Sequence, residues 1–222
     1  MMPAKFVCPP GMVRHMAELF GTVCRECGEV SPGDGEYACM HGFSDPPVCV
    51  DVGACVGGFA RWAEMYWPGA RVHCFEPNPR VHGMLERNLS VMGARASLTK
   101  AAVLVTDEPT VRLYPGRNNV GETSIIREYA GAEEEDSVEV PAVCVTTLPE
   151  CNVLKLDCEG NEPELFQRYV ATHKPPHLML AEYHSPADMT LFQSMAIGLG
   201  YRIVRVREHS FGRGVVCMRK NP

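Results

Sequence analysis

Four short runs in this 222-residue chain gather side chains able to bind or transform a ligand. The first is Asp51-Val52-Gly53-Ala54-Cys55-Val56-Gly57-Gly58. A glycine-rich turn between a strand and a helix lets a ligand approach the backbone, and helix-start amides can take an anionic group. The run fits the dinucleotide pattern G-x-G-x-x-G at Gly53 and Gly58. Its middle position is Cys55, where that pattern needs a glycine for pyrophosphate to close in. The Asp51 carboxylate just ahead of Gly53 would repel pyrophosphate. It suits a ligand carrying an ammonium and a sulfonium.

The second run is Phe75-Glu76-Pro77-Asn78. Its acid lies at the distance from the loop where a carboxylate accepts ribose hydroxyls. A loop without the pyrophosphate glycine, followed by a ribose acid, points to S-adenosylmethionine as the cofactor. The third run is Lys155-Leu156-Asp157-Cys158-Glu159-Gly160-Asn161-Glu162. Period-two alternation in an extended chain puts Lys155, Asp157 and Glu159 on one side. Asp157 and Glu159 can take a proton, hold a substrate group or stabilise a sulfonium, and Lys155 can pair with one of them or meet substrate. The fourth is Ala181-Glu182-Tyr183-His184. His184 is a candidate general base, since an unperturbed imidazole titrates at about 6.5. Glu182 can orient it or bind substrate, and His209 is a weaker candidate. Each group also has a plainer use. Asp51 can cap a turn, Glu76 and Glu162 can be helix-start acids, and Lys155, Asp157 and Glu159 can form a structural ion cluster.

The elements that must position these runs alternate. Strands are expected at 48–54, 71–77, 97–105, 153–160 and 177–184, and helices at 57–66, 78–93, 162–173 and 186–200. Ala102 and Val103, on the third strand, join the cofactor set. A final antiparallel hairpin is expected from 201–208 and 214–220. The region of about 106–150 breaks the rhythm with short β-like pieces and reads as an insertion. Repeated βα units imply an α/β, Rossmann-like fold: a mostly parallel sheet, helices on both faces and a C-terminal antiparallel hairpin. Ligands on such sheets sit at the carboxyl ends of the strands, where the four runs fall. Residues 1–47 read as a helical and loop segment packing on a core domain of 48–222, with a helix expected at Met12–Phe20.

Composition narrows the partners. The formal charge is −6, with 45% hydrophobic and 22% charged residues. No basic stripe marks a nucleic-acid binder, so a small-molecule acceptor is favoured. The acidic Glu133–Asp136 run reads as a solvated loop. No apolar run reaches the ~20 residues that cross a bilayer. The opening MMPAKFVCPPG lacks the apolar centre of a signal peptide, which gives a cytoplasmic expectation. A homo-oligomer is compatible with the sequence. Most of the 11 cysteines read as reduced, packed thiols. Cys24-x-x-Cys27 followed by Cys39 and His41 has one spacing too short for the usual zinc patterns. Asp157, Glu159 and Glu182 could hold a divalent cation, but all three also have metal-free roles, and no metal ligand set is assigned.

Taken together, VDVGACVGGFARWA, FEPNP, LKLDCEGNE and AEYH resemble the FkbM-like methyltransferases, over roughly residues 33 to 220, and NVGETS (119–124) is similar to that family's small-residue stretch. The resemblance implies a class I S-adenosylmethionine-dependent enzyme that O-methylates a hydroxyl on a sugar or natural product. It implies that Asp51, Gly53 and Gly57 line the methionine part of the cofactor, with Ala54 and Cys55 in the same loop. It implies that Glu76, with Pro77 and Asn78, binds the ribose and that Asp157 lies at the methyl-transfer end. Glu159 and Glu182 would face the substrate. Cys55 departs from the Asn common there. Three other readings remain open on the residues alone: an NAD-dependent oxidoreductase, a methyltransferase acting on RNA or protein, and a cofactor-binding protein without turnover.

Overall fold

A computed structural model describes residues 42–116, 122–131, 136–210 and 212–222. The Met12–Phe20 helix, the Cys24/Cys27/Cys39/His41 group, Glu133–Glu135 and part of NVGETS lie outside the described residues.

Val48–Val52 forms β1, and its β-branched, apolar run is almost wholly buried. That is the signature of a central parallel strand covered on both faces. The chain continues through α1 (Gly58–Tyr66), β2 (Arg71–Phe75), α2 (His82–Leu89), β3 (Ala96–Thr99), β4 (Ala102–Leu104) and β5 (Thr110–Leu113). Next come the single turn α3 (Arg127–Ala130), β6 (Val138–Cys144), β7 (Val153–Leu156), α4 (Glu162–Thr172) and β8 (Leu178–Tyr183). The chain closes with α5 (Pro186–Leu199), β9 (Tyr201–Ser210) and β10 (Arg213–Lys220).

Seven strands lie in the order β3-β2-β1-β7-β8-β10-β9. The pairs among β3, β2, β1, β7 and β8 are parallel. The C-terminal hairpin adds β10 antiparallel to both β8 and β9. One face is packed by Phe59, Trp62 and Ala63 of α1 with Leu85 and Leu89 of α2. The other is packed by Leu165, Phe166 and Tyr169 of α4 with Phe192 and Ala196 of α5. Strand order reverses between β1 and β7, so their carboxyl ends open the crevice where a ligand sits. Among the described residues no helix is long and apolar enough to cross a membrane.

Four boundaries differ from the pattern. The third strand breaks at Lys100–Ala101: β3 pairs with β2, while β4 pairs with β6 in a separate sheet of order β4-β6-β5. The inserted region thereby borrows a strand from the core. The second helix starts late, because Asn78 Oδ1 accepts the Arg80 N–H at 3.0 Å and holds a local turn instead. It also finishes as a 3-10 turn over Ser90–Arg95, with Gly93 off helical geometry. The strand expected at 153–160 stops at Leu156, and positive φ at Glu159 (62°) and Asn161 (102°) turns the acidic run into a loop. Alternation therefore does not govern Asp157 and Glu159.

Candidate active site

The glycine loop leaves β1 through a contact that only glycine permits. Gly53 has φ +76°, and a Cβ built on it would lie 1.7 Å from the Asp157 carbonyl oxygen. The N–H groups of Gly53 and Ala54 both donate to Phe75 O, at 3.0 and 3.1 Å, which locks the loop to β2. The buried Asn88 amide donates to Val56 O at 2.7 Å. Gly57, at φ 85°, then starts α1. Cys55 takes a left-handed φ of 49°, uncommon for a side chain with Cβ. Burial pushes its thiol up to about 12, so it is no nucleophile near neutral pH.

Glu76 is 5% exposed and braced by backbone donors. Oε2 accepts the Cys55 N–H and Oε1 the Asn78 N–H, each at 2.7 Å. Burial nevertheless raises its carboxyl to about 7, against the lowering pull of those two hydrogen bonds. Each oxygen keeps a lone pair for a hydroxyl donor.

A cavity of about 310 Å³ opens at the β1/β7 carboxyl ends, within the size range of small-ligand pockets. Gly53, Cys55, Glu76 and Pro77 line one side, with Ala102 and Val103 of β4. Asp157, Glu159 and Glu182 form an acidic wall. The inserted region closes it with Leu113, Thr123, Ile125 and Tyr129, of which only Thr123, within NVGETS, falls in a stretch that the sequence pointed to. Two hydrogen bonds seat that region. Asn78 Nδ2 donates to Thr123 Oγ1 at 3.0 Å, and Ser124 Oγ to Glu159 O at 2.6 Å. His209 and Arg213 line the cavity from the C-terminal hairpin.

Six residues expected at the ligand, His184 among them, do not line the cavity. Ala54, Gly57 and Asn78 support the walls without lining the cavity. Asp51 is wholly buried and pairs across the parallel register with Lys155, whose Nζ lies 3.0 Å from Oδ1. Burial raises the Asp51 carboxyl, and Lys155 opposes the rise. Its charge is thus answered inside the sheet, so it does not select the ligand as the sequence argument held. Lys155 is also buried, donating to Gly53 O at 2.7 Å and lying 3.3 Å from Asp157 Oδ2. It ties the glycine loop to the acidic loop rather than facing substrate.

His184, the expected base, sits behind the acidic wall with its side chain 2% exposed. Nε2 lies 3.4 Å from Glu162 Oε1 and 3.8 Å from Glu182 Oε2, and Nδ1 lies 3.7 Å from Glu159 Oε2. Burial disfavours the imidazolium, but Glu162, Glu159 and Asp157 outweigh it and raise the titration above its ordinary value. Glu162 is itself 1% exposed and accepts the N–H groups of Cys158 (2.8 Å) and Gly160 (3.1 Å). The sequence offered it only as a helix-start acid. Burial, with Asp157 next in weight, raises Glu159 to about 8, and His184 opposes the rise. Burial and a hydrogen bond with Asp157 raise Glu182 well above the carboxylate range.

These shifts fix the sign of a stability profile. An acid whose folded pKa lies above its unfolded value contributes stability that is lost as pH rises through the folded value, and a raised His behaves likewise. Asp51, Glu76, Glu159, Glu182 and His184 all act in this direction. Purified without added ligand, the protein should unfold at a higher temperature at pH 6 than at pH 8. Glu76 alone accounts for about 1 kcal/mol over that interval, or roughly 2–4 °C. A melting temperature that rises from pH 6 to pH 8 would contradict the buried acid cluster.

Residues 51–202 match the Methyltransferase FkbM domain family. No curated protein matches the sequence. Among solved structures, the FkbM methyltransferase of Methylobacillus flagellatus KT superposes with a TM-score of 0.55 at 19% identity, covering 81% of this chain and 44% of that one. A precorrin-6y C5,15-methyltransferase from Geobacter metallireducens GS-15 gives 0.50 at 15% identity, covering 81% and 82%. The complex of aTrm5 with tRNALeu gives 0.50 at 10% identity, covering 97% and 47%. At such identities the structural likeness speaks for the sheet and its helices and leaves the acceptor open. By its sequence match over residues 51–202, the chain belongs to the FkbM methyltransferase family.

Proposed function

We propose that the protein is an S-adenosylmethionine-dependent methyltransferase that O-methylates a hydroxyl on a small molecule such as a sugar or natural product. The charge of the cavity carries this reading. Among the described residues its walls hold five acidic side chains (Glu76, Glu122, Asp157, Glu159 and Glu182) against Arg213 as the single lysine or arginine. Burial raises Glu76, Glu159 and Glu182, so the negative charge of the wall grows as pH rises. Such a surface repels pyrophosphate and attracts an ammonium or sulfonium, which disfavours a nicotinamide dinucleotide.

When bound, the cofactor supplies an electrophilic methyl group whose leaving thioether needs little assistance. This chain's residues do the rest. Glu76 accepts the ribose hydroxyls, and the glycine loop sets the depth of binding through Gly53. Ala102 and Val103 supply an apolar floor. Lys155 clamps the glycine loop to Asp157 and so fixes the methyl-transfer end relative to the acceptor. Asp157 takes the proton of the acceptor hydroxyl, with Glu159 and Glu182 beside it and His184 positioning Glu159 from behind. Alignment and water exclusion supply most of the rate, and the base adds roughly 10²–10⁴-fold.

The acceptor is tested by incubating the protein with methyl-labelled S-adenosylmethionine and pools of sugars, small phenols and RNA. Label should enter the sugar or phenol pool, and label confined to RNA contradicts the small-molecule reading. With an acceptor in hand, Asp157→Ala should lower kcat by about 10²-fold or more while S-adenosylhomocysteine still binds. Glu159→Ala and His184→Ala should lower it less. Unchanged turnover in all three removes the acidic wall from the chemistry.

A further inference from the structure

Behind the cavity, two neighbouring strand ends converge on a group the acceptor chemistry leaves partly unused. Glu159 follows β7, Glu182 lies near the end of β8 and His184 follows it. One ligand atom from each lies within 4.8 Å of the other two. The imidazole is nearly inaccessible, and its Nε2 lies 3.4 Å from Glu162 Oε1. Its Nδ1 has no hydrogen-bond partner among the described residues, the closest acid oxygen being Glu159 Oε2 at 3.7 Å. That separation is too long for a hydrogen bond and wide enough for a cation between the two groups, given ligand bonds of about 2.0–2.2 Å.

We propose that Glu159, Glu182 and His184 form a divalent-cation site, with His184 Nδ1 and one oxygen from each glutamate as ligands. Two further observations point the same way. Carboxyl groups of Glu159, Glu162 and Glu182 lie 3.7, 3.4 and 3.8 Å from the ring nitrogens of this one imidazole, while Lys155 is engaged with Asp51, Asp157 and Gly53 O. Three acids crowded on one ring can ionise together when a cation joins them, which the ring alone does not allow. In addition, the Glu162–His184 contact is the arrangement that orients a metal-bound histidine, in which the second ring nitrogen donates to a carboxylate. Glu162 is in turn fixed by the Cys158 and Gly160 amides. The sequence offers Glu159 and Glu182 beside Asp157 as possible cation ligands, and the fold replaces Asp157 in that set with His184.

One imidazole with two carboxylates suits Mn²⁺, Fe²⁺, Co²⁺ or Zn²⁺ better than Ca²⁺, which prefers all-oxygen shells. Three protein ligands leave positions open for water and for an oxygen of the acceptor, since Glu159 and Glu182 also line the cavity. This last role rests on the methyltransferase reading proposed above, whereas cation binding itself does not.

The test is titration of the chelator-treated full chain with Mn²⁺, read by the loss of free-ion paramagnetic resonance signal. One ion per chain is expected. Glu159→Gln and Glu182→Gln keep side-chain shape and should each weaken binding at least tenfold. Glu162→Gln, which touches no ion, should weaken it about tenfold through the histidine. Far-ultraviolet circular dichroism checks the fold of every variant, and S-adenosylhomocysteine binding is measured on the wild type. No Mn²⁺ bound by the wild type, or equal binding by the Glu159→Gln/Glu182→Gln double variant, overturns the site. Homocysteine-cofactor binding without Mn²⁺ overturns this inference alone. Mn²⁺ binding without the cofactor product upholds the site and overturns the cofactor reading.

Discussion

Gly53→Ala should abolish measurable S-adenosylhomocysteine binding and lower the melting temperature by roughly 6–12 °C, equivalent to about 3 kcal/mol. The added methyl would lie 1.7 Å from Asp157 O and 2.7 Å from its carbonyl carbon. Both obstacles are backbone, so no side-chain rotation relieves them. The φ of +76° adds a second cost for any residue with Cβ. Either the glycine loop lifts from β2, breaking the donors to Phe75 O, or the end of β7 moves and takes Asp157 with it. The cofactor wall and the acid wall are therefore damaged together. Gly83→Ala in α2 is the control, since nothing lies within 4 Å of its added methyl. It should leave binding unchanged and, if anything, raise stability, because alanine favours a helix more than glycine does. Calorimetric binding and thermal unfolding of both variants check the contrast. Equal behaviour of the two would mean that the Gly53–Asp157 approach is not a real constraint.

Glu76 should make cofactor affinity depend on pH in a defined direction. Its carboxyl titrates near 7. Ribose hydroxyls donate to a carboxylate, so ligand binding lowers that value. At pH 6 most of the ligand-free protein must release a proton to bind, and at pH 8 it need not. Affinity for S-adenosylhomocysteine should therefore rise about tenfold from pH 6 to pH 8 and level off above the free-state value. Glu76→Ala should flatten the profile. It should also lower affinity by about 100-fold or more, since it removes the ribose acceptor and leaves the Cys55 and Asn78 amides without their partner. Isothermal titration at three pH values is sufficient. A flat wild-type profile would remove Glu76 from the ribose site.

The alternating part of the fold was legible because its signals are local. The run at Val48–Val52 is short, apolar and β-branched, and Trp62 and Ala63 recur with Phe59 at helical spacing. Gly200 closes α5 in the left-handed conformation expected of a helix-ending glycine. What the sequence hid depends on pairing across long separations. The break at Lys100–Ala101 exists because β4 finds β6, some forty residues on, and no local pattern announces that. Asp51 was read as a ligand-facing acid because its register partner Lys155, on β7, is invisible in one dimension. His184 is a candidate base by residue type and place at a strand end, yet Glu162 and Glu159 enclose it. That Glu76, Asp157, Glu159 and Glu182 line one cavity was legible for a general reason: strand ends on a parallel sheet converge on one crevice, so acids at successive ends meet there.

The central claim is that an acid-walled cavity at the β1/β7 crossing takes S-adenosylmethionine and not a dinucleotide. It is tested most directly by titrating the full chain with S-adenosylhomocysteine and, separately, with NAD in the same calorimeter at pH 8. The account predicts one site per chain for S-adenosylhomocysteine and no detectable heat of binding for NAD. Binding of NAD with none of S-adenosylhomocysteine would contradict it.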